Sequence, residues 1–256
     1  MRSVYHLNIS DTDIRGATTA LLPGDPFRSQ TIAEAISETY GTTHSKLAWK
    51  REFCTYLVEI KGKKFLITST GIGGPSTSIA IDELAQLGIH TFIRVGTTGA
   101  IQENIAIGDV IITSGSVRLD GASTHYAHIE YPAVAHYEVL NALIEGARDA
   151  GVRYHVGITV SSDTFYPGEE RQDSFMKYTL RRFQGTTEEW KRLHALNYEM
   201  ESSTVLTLTA SMGLRGGCVT GAVNLRNAKN MITKEALKLG EENAIKVAIA
   251  AVERLL

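Results

Sequence analysis

The chain has 256 residues, with 26 Lys and Arg against 28 Asp and Glu and a formal net charge of -2 at pH 7. That length fits one large α/β domain or two small ones and buries a core without staples. The near-neutral balance excludes a global basic field for nucleic acid.

Only Cys54 and Cys218 are present. They lack Cys-x-x-Cys or Cys/His ligand spacing, which argues against structural zinc and suits a reducing cytoplasm. Residues 1–13 are polar and mixed, without the charged region, apolar core and small-residue cleavage site of a signal peptide. The expectation is a cytoplasmic protein that engages neither nucleic acid nor membrane.

Ala17 to Leu22 reads as a short strand stopped by Pro23-Gly24-Asp25-Pro26, and Phe27 to Ile36 as a helix. Gly24 and Arg28 thus fall at a strand-to-helix junction, where free N–H groups and the helix dipole favour an anion. An ordinary turn accounts for the same four residues. Glu52 to Ile60 and Lys64 to Thr70 are predicted strands joined by a hairpin at Lys61-Gly62-Lys63. Gly71-Ile72-Gly73-Gly74-Pro75 follows, and Ser76 is predicted to cap a helix reaching Leu87. The glycine cluster has neither the Gly-Lys-Ser/Thr of a Walker loop nor Rossmann spacing.

Phe92 to Ala100 is the most informative stretch. An apolar run carrying Arg94 breaks into Gly96, Thr97, Thr98 and Gly99, the pattern of a buried strand ending in a polar pocket. Arg94 and Thr97 suit a phosphate oxygen, with Gly96 and Gly99 letting backbone approach it. A structural arginine followed by an ordinary turn accounts for these residues equally well.

Beyond it, Gly108 to Val117 and Val156 to Ser162 read as strands and Tyr137 to Ala150 as a helix. The second strand ends in the polar, aromatic run Ser161 to Gly168. Glu169, Glu170 and Arg171 follow, and a charged triplet by itself reads as a solvated loop. Thr186 to Leu193 is predicted helical, and Asn197 to Glu201 precedes a helix from Ser202 to Met212. Cys218 to Val223 is the last strand, and Lys234 to Leu256 a closing helix with Ile245, Ile249 and Val252 on its apolar face. Alternating strands and helices without linker or repeat indicate one α/β domain over residues 1–256. Several polar strand ends point to a shared ligand site.

Five motifs in this order closely resemble the bacterial uridine phosphorylases, of the hexamer-forming branch of the nucleoside phosphorylases. They are Pro23-Gly24-Asp25-Pro26 with Arg28, Ser69 to Ser76, Arg94 to Ala100, Ser161 to Gly168, and Tyr198-Glu199-Met200-Glu201. The similarity runs from His6 to the final helix. It implies a three-layer α/β/α fold with a central mixed, twisted sheet. It also implies reversible phosphorolysis, in which nucleoside and inorganic phosphate give free base and ribose 1-phosphate.

By resemblance, Gly24, Arg28, Arg94 and Thr97 hold phosphate, with Arg51 reaching in from a neighbouring subunit. Guanidinium groups grip phosphate oxygens and place the nucleophile under the anomeric carbon. Met200 and Glu201 match the ribose-binding pair, and His6 of a partner chain closes over the 5′-hydroxyl. Glu201 orients a sugar that becomes cationic as the glycosidic bond breaks; as an acidic first-turn residue it also suits the helix dipole. Thr98, Gly99, Phe165, Arg171, Tyr198 and Arg226 match the base pocket, with Phe165 stacked on or edged against the base. Arg94, Glu201 and Arg171 are the expected catalytic groups. The resemblance further implies a hexamer, a trimer of dimers, and potassium between paired subunits at Glu52, Ile72 and Ser76. No organic cofactor is expected.

Two positions depart from the pattern. Uridine phosphorylases carry glutamine where this chain has Glu169, and an ionised carboxylate accepts from uracil N3–H but cannot donate to a carbonyl. Three solutions stand open: a protonated Glu169 with its pKa raised by burial; Glu169 pointing away, with Glu170 or water substituting; or a base with two donors on that edge, as guanine has. Asn224 stands where those enzymes keep an apolar residue; it suits a purine N7 or six-position oxygen, or else a strand-end hydrogen bond. The leading expectation is a uridine phosphorylase, acting also on deoxyuridine or thymidine. Its rivals are a phosphorylase of guanosine, inosine or a modified pyrimidine nucleoside, a hydrolytic nucleosidase, and a catalytically silent nucleoside-binding protein.

Overall fold

The computed structural model describes residues 2–226 and 232–256. Its first half alternates as expected. β1 (Thr19–Pro23) leads into α1 (Pro26–Tyr40), which runs a turn past its predicted end before Gly41 closes it at φ 63°. β3 (Phe53–Ile60) and β4 (Lys63–Thr68) form the predicted hairpin, with Lys61 and Gly62 both at positive φ, as a two-residue turn matched to strand twist requires. β2 (Ser45–Lys50), absent from the sequence reading, pairs with β3. Its half-exposed, lysine-bearing pattern hides strand character.

α2 (Gly74–Leu87) corrects the predicted cap. The capping position is Gly73, without a side-chain bond, and Ser76 lies inside the first turn. Pro75, fixed in helical φ, falls in the first turn and lets the helix start three residues earlier. The central strand, β5 (Thr91–Ala100), precedes β6 (Val110–Leu119), the short β7 (Ala133–Val134), α3 (Tyr137–Asp149) and β8 (Tyr154–Ser162). α4 (Thr186–Arg192), β9 (Asn197–Glu199), α5 (Ser202–Ser211), β10 (Arg215–Leu225) and α6 (Lys234–Leu255) complete the chain. β9 was not foreseen; three residues are too few to show a period.

The ten strands form a single mixed sheet, and alternate side chains supply its two faces. Leu21, Ile67, Ile93 and Val95 meet α1, α3 and α6. Ala20, Leu22, Leu66 and Phe92 meet α2, α5 and the N-terminal segment around Leu7 and Ile14. This is the expected three-layer arrangement, with the period-two pattern doing the sorting. Part of the sheet also closes on itself: β5 pairs with β10, β10 with β6, β6 with β8, β8 with β9, and β9 again with β5. Among the described residues no helix is long and apolar enough to cross a membrane.

Candidate active site

A cavity of about 480 Å³ opens around the C-terminal part of β5. β1 and β10 lie parallel to β5 on its two sides, so Gly24, Thr97 to Gly99 and Asn224 arrive at one end of the sheet. β9 runs antiparallel with Gly99 opposite Tyr198, which brings Glu199, Met200 and Glu201 to the same place. The cavity gathers Gly24, Arg28, Ile72, Arg94, Thr97, Thr98, Gly99, Phe165, Glu169, Arg171, Tyr198, Met200, Glu201 and Asn224.

His6, Arg51, Glu52, Ser76 and Arg226 do not line it. Arg226 packs directly behind, its aliphatic stem over Gly99 and Nη2 donating to the Glu169 carbonyl. Arg51 is exposed at the turn between β2 and β3. His6 is held by Glu83, whose carboxylate lies 2.7 Å from Nδ1 and accepts from the backbone N–H groups of His6 and Leu7. Backbone and side-chain bonds from His6 and Leu7 hold Glu83 below its ordinary pKa although burial opposes them.

The deepest element is an ion cluster. Arg94 is 5% exposed; Nε donates to Glu199 at 2.7 Å and Nη2 pairs with Glu201. Burial opposes the charge on Arg94, but Glu201 and Glu199 outweigh it and hold the guanidinium above its ordinary pKa. Burial likewise raises Glu201, against the pull of Arg94. Glu199 had been assigned no role from sequence. Its carboxylate also accepts from the N–H of Glu201 at 2.8 Å and of Ser202 at 2.8 Å and from the Ser202 hydroxyl, so Glu199 caps α5. Glu199 thus makes the side-chain bonds at the start of α5, while Glu201 occupies the N-cap position without a side-chain bond to the helix. A buried arginine with one assigned carboxylate was the signal that a second acid stood nearby.

Glu201 reaches across to the glycine loop, accepting from the Gly73 N–H at 2.5 Å. Gly73 stands at φ 95°, a conformation that directs its N–H into the site at no steric cost to glycine alone. Gly96 has a different reason. A Cβ there would lie 2.8 Å from Arg94 Nη2 and 3.0 Å from Cζ, so the guanidinium folds back over a residue that must lack a side chain. On the anion side, Arg28 pairs with Glu241 of α6, while its Nε is buried without a hydrogen-bond partner among the described residues.

The base side corrects two expectations. Glu169 and Arg171 are each 5% exposed, so the charged triplet is no solvated loop. Glu170, at φ 53°, turns its carboxylate onto the N–H groups of Gly185 and Thr187 at the start of α4, and is thus unavailable to replace Glu169. Glu169 faces the cavity with Arg226 Nη1 at 3.9 Å and Arg171 Nη1 at 4.0 Å. Burial pushes its carboxyl up to about 7, the two arginines pulling the other way. Arg171 lies 4.0 Å over the Phe165 ring, a cation–π contact that joins the aromatic and ionic parts of the pocket.

Asn224 sits at a bulge. Ala222 pairs with Thr98 and Asn224 with Gly99, leaving Val223 unpaired, and the extra residue re-aims the strand's side chains. Both amide atoms of Asn224 are buried without a partner among the described residues, so no strand-end hydrogen bond accounts for it.

Comparison with known proteins agrees with this geometry. A family model described as the phosphorylase superfamily matches residues 18–256. The uridine phosphorylase of Escherichia coli K12 is 51% identical over 99% of this chain and 98% of its own length. That of Haemophilus influenzae is 47% identical, with both chains covered completely. The guanosine phosphorylase of Halorubrum lacusprofundi is 33% identical, with 98% of each chain covered. With a buried arginine–glutamate cluster at the centre of a mixed sheet and full-length similarity of this degree, the chain belongs to the phosphorylase superfamily.

Proposed function

We propose that the chain, a single domain over residues 1–256, catalyses the reversible phosphorolysis of uridine, with deoxyuridine and thymidine as related substrates. The observation that carries the reading is the joining, in one cavity, of an anion-binding half and a base-sized aromatic and polar half across Met200 and Glu201. The names and full-length identities of the relatives support it. Arg28, Arg94, Thr97 and the Gly24 backbone position a phosphate oxygen beneath the anomeric carbon. That oxygen bonds to the carbon as the glycosidic bond breaks, and the bonding pair leaves on the base. Glu201 accepts from ribose hydroxyls and stabilises the developing cation. Arg171 donates to a base carbonyl and offsets the charge on the leaving group.

His6 and Arg51, away from the cavity of their own chain, act in this reading across a subunit boundary of a hexamer built as a trimer of dimers. The potassium implied at Glu52, Ile72 and Ser76 has a chemically suitable oxygen set. Ser76 Oγ lies 3.5 Å from the Ile72 carbonyl, and a Cβ on Gly71 would touch both Glu52 Cγ and Ser76 Oγ. Carboxylate, carbonyl and hydroxyl oxygens suit a hard cation, which would tie paired subunits together there. No organic cofactor enters the reading, and the expected compartment is the cytoplasm.

The test is uridine consumption with and without phosphate. Phosphate-dependent formation of uracil and ribose 1-phosphate supports the proposal. Release without phosphate identifies a hydrolase, and no release identifies a binding protein; either refutes it.

A further inference from the structure

We propose that Asp120, which lies outside the cavity, is a positioning residue that aims Glu201 at the ribose by fixing the first turn of α5 from behind. The inference rests on the phosphorolysis reading and deepens it, because it assigns a group that controls how the sugar is held.

Asp120 directly follows β6 and is 5% exposed. Its carboxylate accepts only from uncharged donors among the described residues. Oδ1 takes the hydroxyls of Ser123 at 2.8 Å and Ser203 at 2.7 Å, and Oδ2 takes the Ser123 N–H at 2.7 Å and the Thr204 hydroxyl at 2.8 Å. A carboxylate offers about four acceptor sites, so Asp120 is saturated. Ser203 and Thr204 belong to the first turn of α5, where the helix dipole favours a negative charge. An apolar contact would pack α5 on β6 without the cost of burying a carboxylate. What the carboxylate adds is direction, since hydrogen bonds fix the rotation and advance of the turn, which apolar contacts leave looser.

That turn carries Glu201, the N-cap position of α5. On the cavity side Glu201 pairs with Arg94 and accepts from the Gly73 N–H, just ahead of α2. The starts of α2 and α5 meet again behind it. A Cβ on Gly74, the first residue of α2, would lie 2.6 Å from Thr204 Oγ1, 2.8 Å from Ala122 Cβ and 3.5 Å from Asp120 Oδ2. Only a residue without a side chain lets α2 close on the Asp120 cluster. Glu201 and Asp120 thus hold the same two helix starts from opposite sides. Ser202, between them, is tied separately: its N–H donates to Glu199, and its hydroxyl lies 2.7 Å from that of Ser116. Three successive residues of α5 are therefore bonded to groups outside the helix. By contrast, Gly24, Arg28 and Thr97 stand on the β1–α1 junction, α1 and β5, so a shift of this turn reaches the ribose before it reaches the phosphate. A displacement of about 1 Å in such a contact costs on the order of a hundredfold in rate.

The experiment measures kcat/KM for uridine and 2′-deoxyuridine, and KM for phosphate, in the native chain, Asp120→Ala, Asp120→Asn and Thr204→Val. Deoxyuridine lacks one of the hydroxyls Glu201 accepts from, so misdirecting Glu201 weakens uridine more. Asp120→Ala should lower the uridine-to-deoxyuridine ratio about fivefold or more, with the phosphate KM within about twofold of native. Asp120→Asn, which keeps the shape and part of the acceptor capacity, should restore part of the ratio. Ratios are taken within one preparation, so loss of folded protein cancels. Thr204→Val removes a single donor at nearly constant shape; it should move the ratio the same way, and it decides the matter if Asp120→Ala does not fold. A ratio unmoved in every variant that folds overturns the inference and leaves phosphorolysis standing. So does a phosphate KM that rises in step with the loss of uridine turnover, the mark of a site loosened throughout. Absence of phosphate-dependent turnover of either nucleoside by the native chain takes down the phosphorolysis reading, and this inference with it.

Discussion

Replacing Glu169 with glutamine should change how the stability of this protein depends on pH, and the structure sets the size. The carboxyl is raised from 4.5 to about 7, chiefly by burial. At about 1.4 kcal/mol per tenfold change in proton affinity, this corresponds to about 3 kcal/mol. Because the folded-state value is raised, the stability tied to the protonated group is fully present below about 4.5 and lost as pH climbs through about 7. Glutamine occupies the same volume and does not titrate. Urea denaturation of the two proteins at matched concentration should therefore show glutamine gaining on glutamate by roughly 2–3 kcal/mol between about pH 5 and about pH 9. Parallel stability profiles across that range would refute the assignment of a buried, near-neutral carboxyl, and with it the protonated form of Glu169 as the group facing the base.

Arg94→Ala should reduce phosphorolysis at least about a thousandfold, since it removes the central cation of the anion site; turnover within tenfold of native would end that reading. Glu199→Gln should destabilise the fold by about 3 kcal/mol, because it takes a charged partner from buried Arg94 and weakens the cap of α5. Thermal unfolding checks this, and an unchanged midpoint would show that Glu201 alone suffices. Gly96→Ala should leave secondary structure intact by circular dichroism yet cut kcat strongly, because its Cβ, 2.8 Å from Arg94 Nη2, forces the guanidinium to shift. Cys218 is fully buried and its thiol is pushed up to about 12 by burial and Glu199. It should resist a thiol reagent at about pH 8 until the protein unfolds; rapid labelling of the native protein would contradict its place beside Arg94.

Much of the architecture was legible because its signals are local. Pro-Gly-Asp-Pro stops β1, Lys61-Gly62 turns the hairpin, and apolar periodicity marks the helices. β2 and β9 escaped because one is half-exposed and the other very short. The site was legible as motifs, and fourteen neighbours came together at the cavity as their order implied. What sequence could not convey was the wiring between them. Glu199 reads as one more acid until Arg94 lies 2.7 Å away, and Glu170 is indistinguishable from Glu169 until a positive φ sends one carboxylate to α4 and the other to the cavity. Such assignments depend on contacts that no local pattern carries, 105 positions apart for Arg94 and Glu199 and 17 for Glu170 and Thr187.

The closed circuit of strands has a consequence for how copies of this chain meet one another. An open sheet of ten strands would offer unpaired backbone along two full-length edges, each a template for another chain. Here β5, β10, β6, β8 and β9 use one another's edges. Among the described strands, the ends that remain are β7, two residues long, and β2, which carries Lys46 and Lys50. A short edge and a lysine-bearing one both discourage strand-to-strand addition, so copies are steered to meet through side chains rather than by extending each other's sheets.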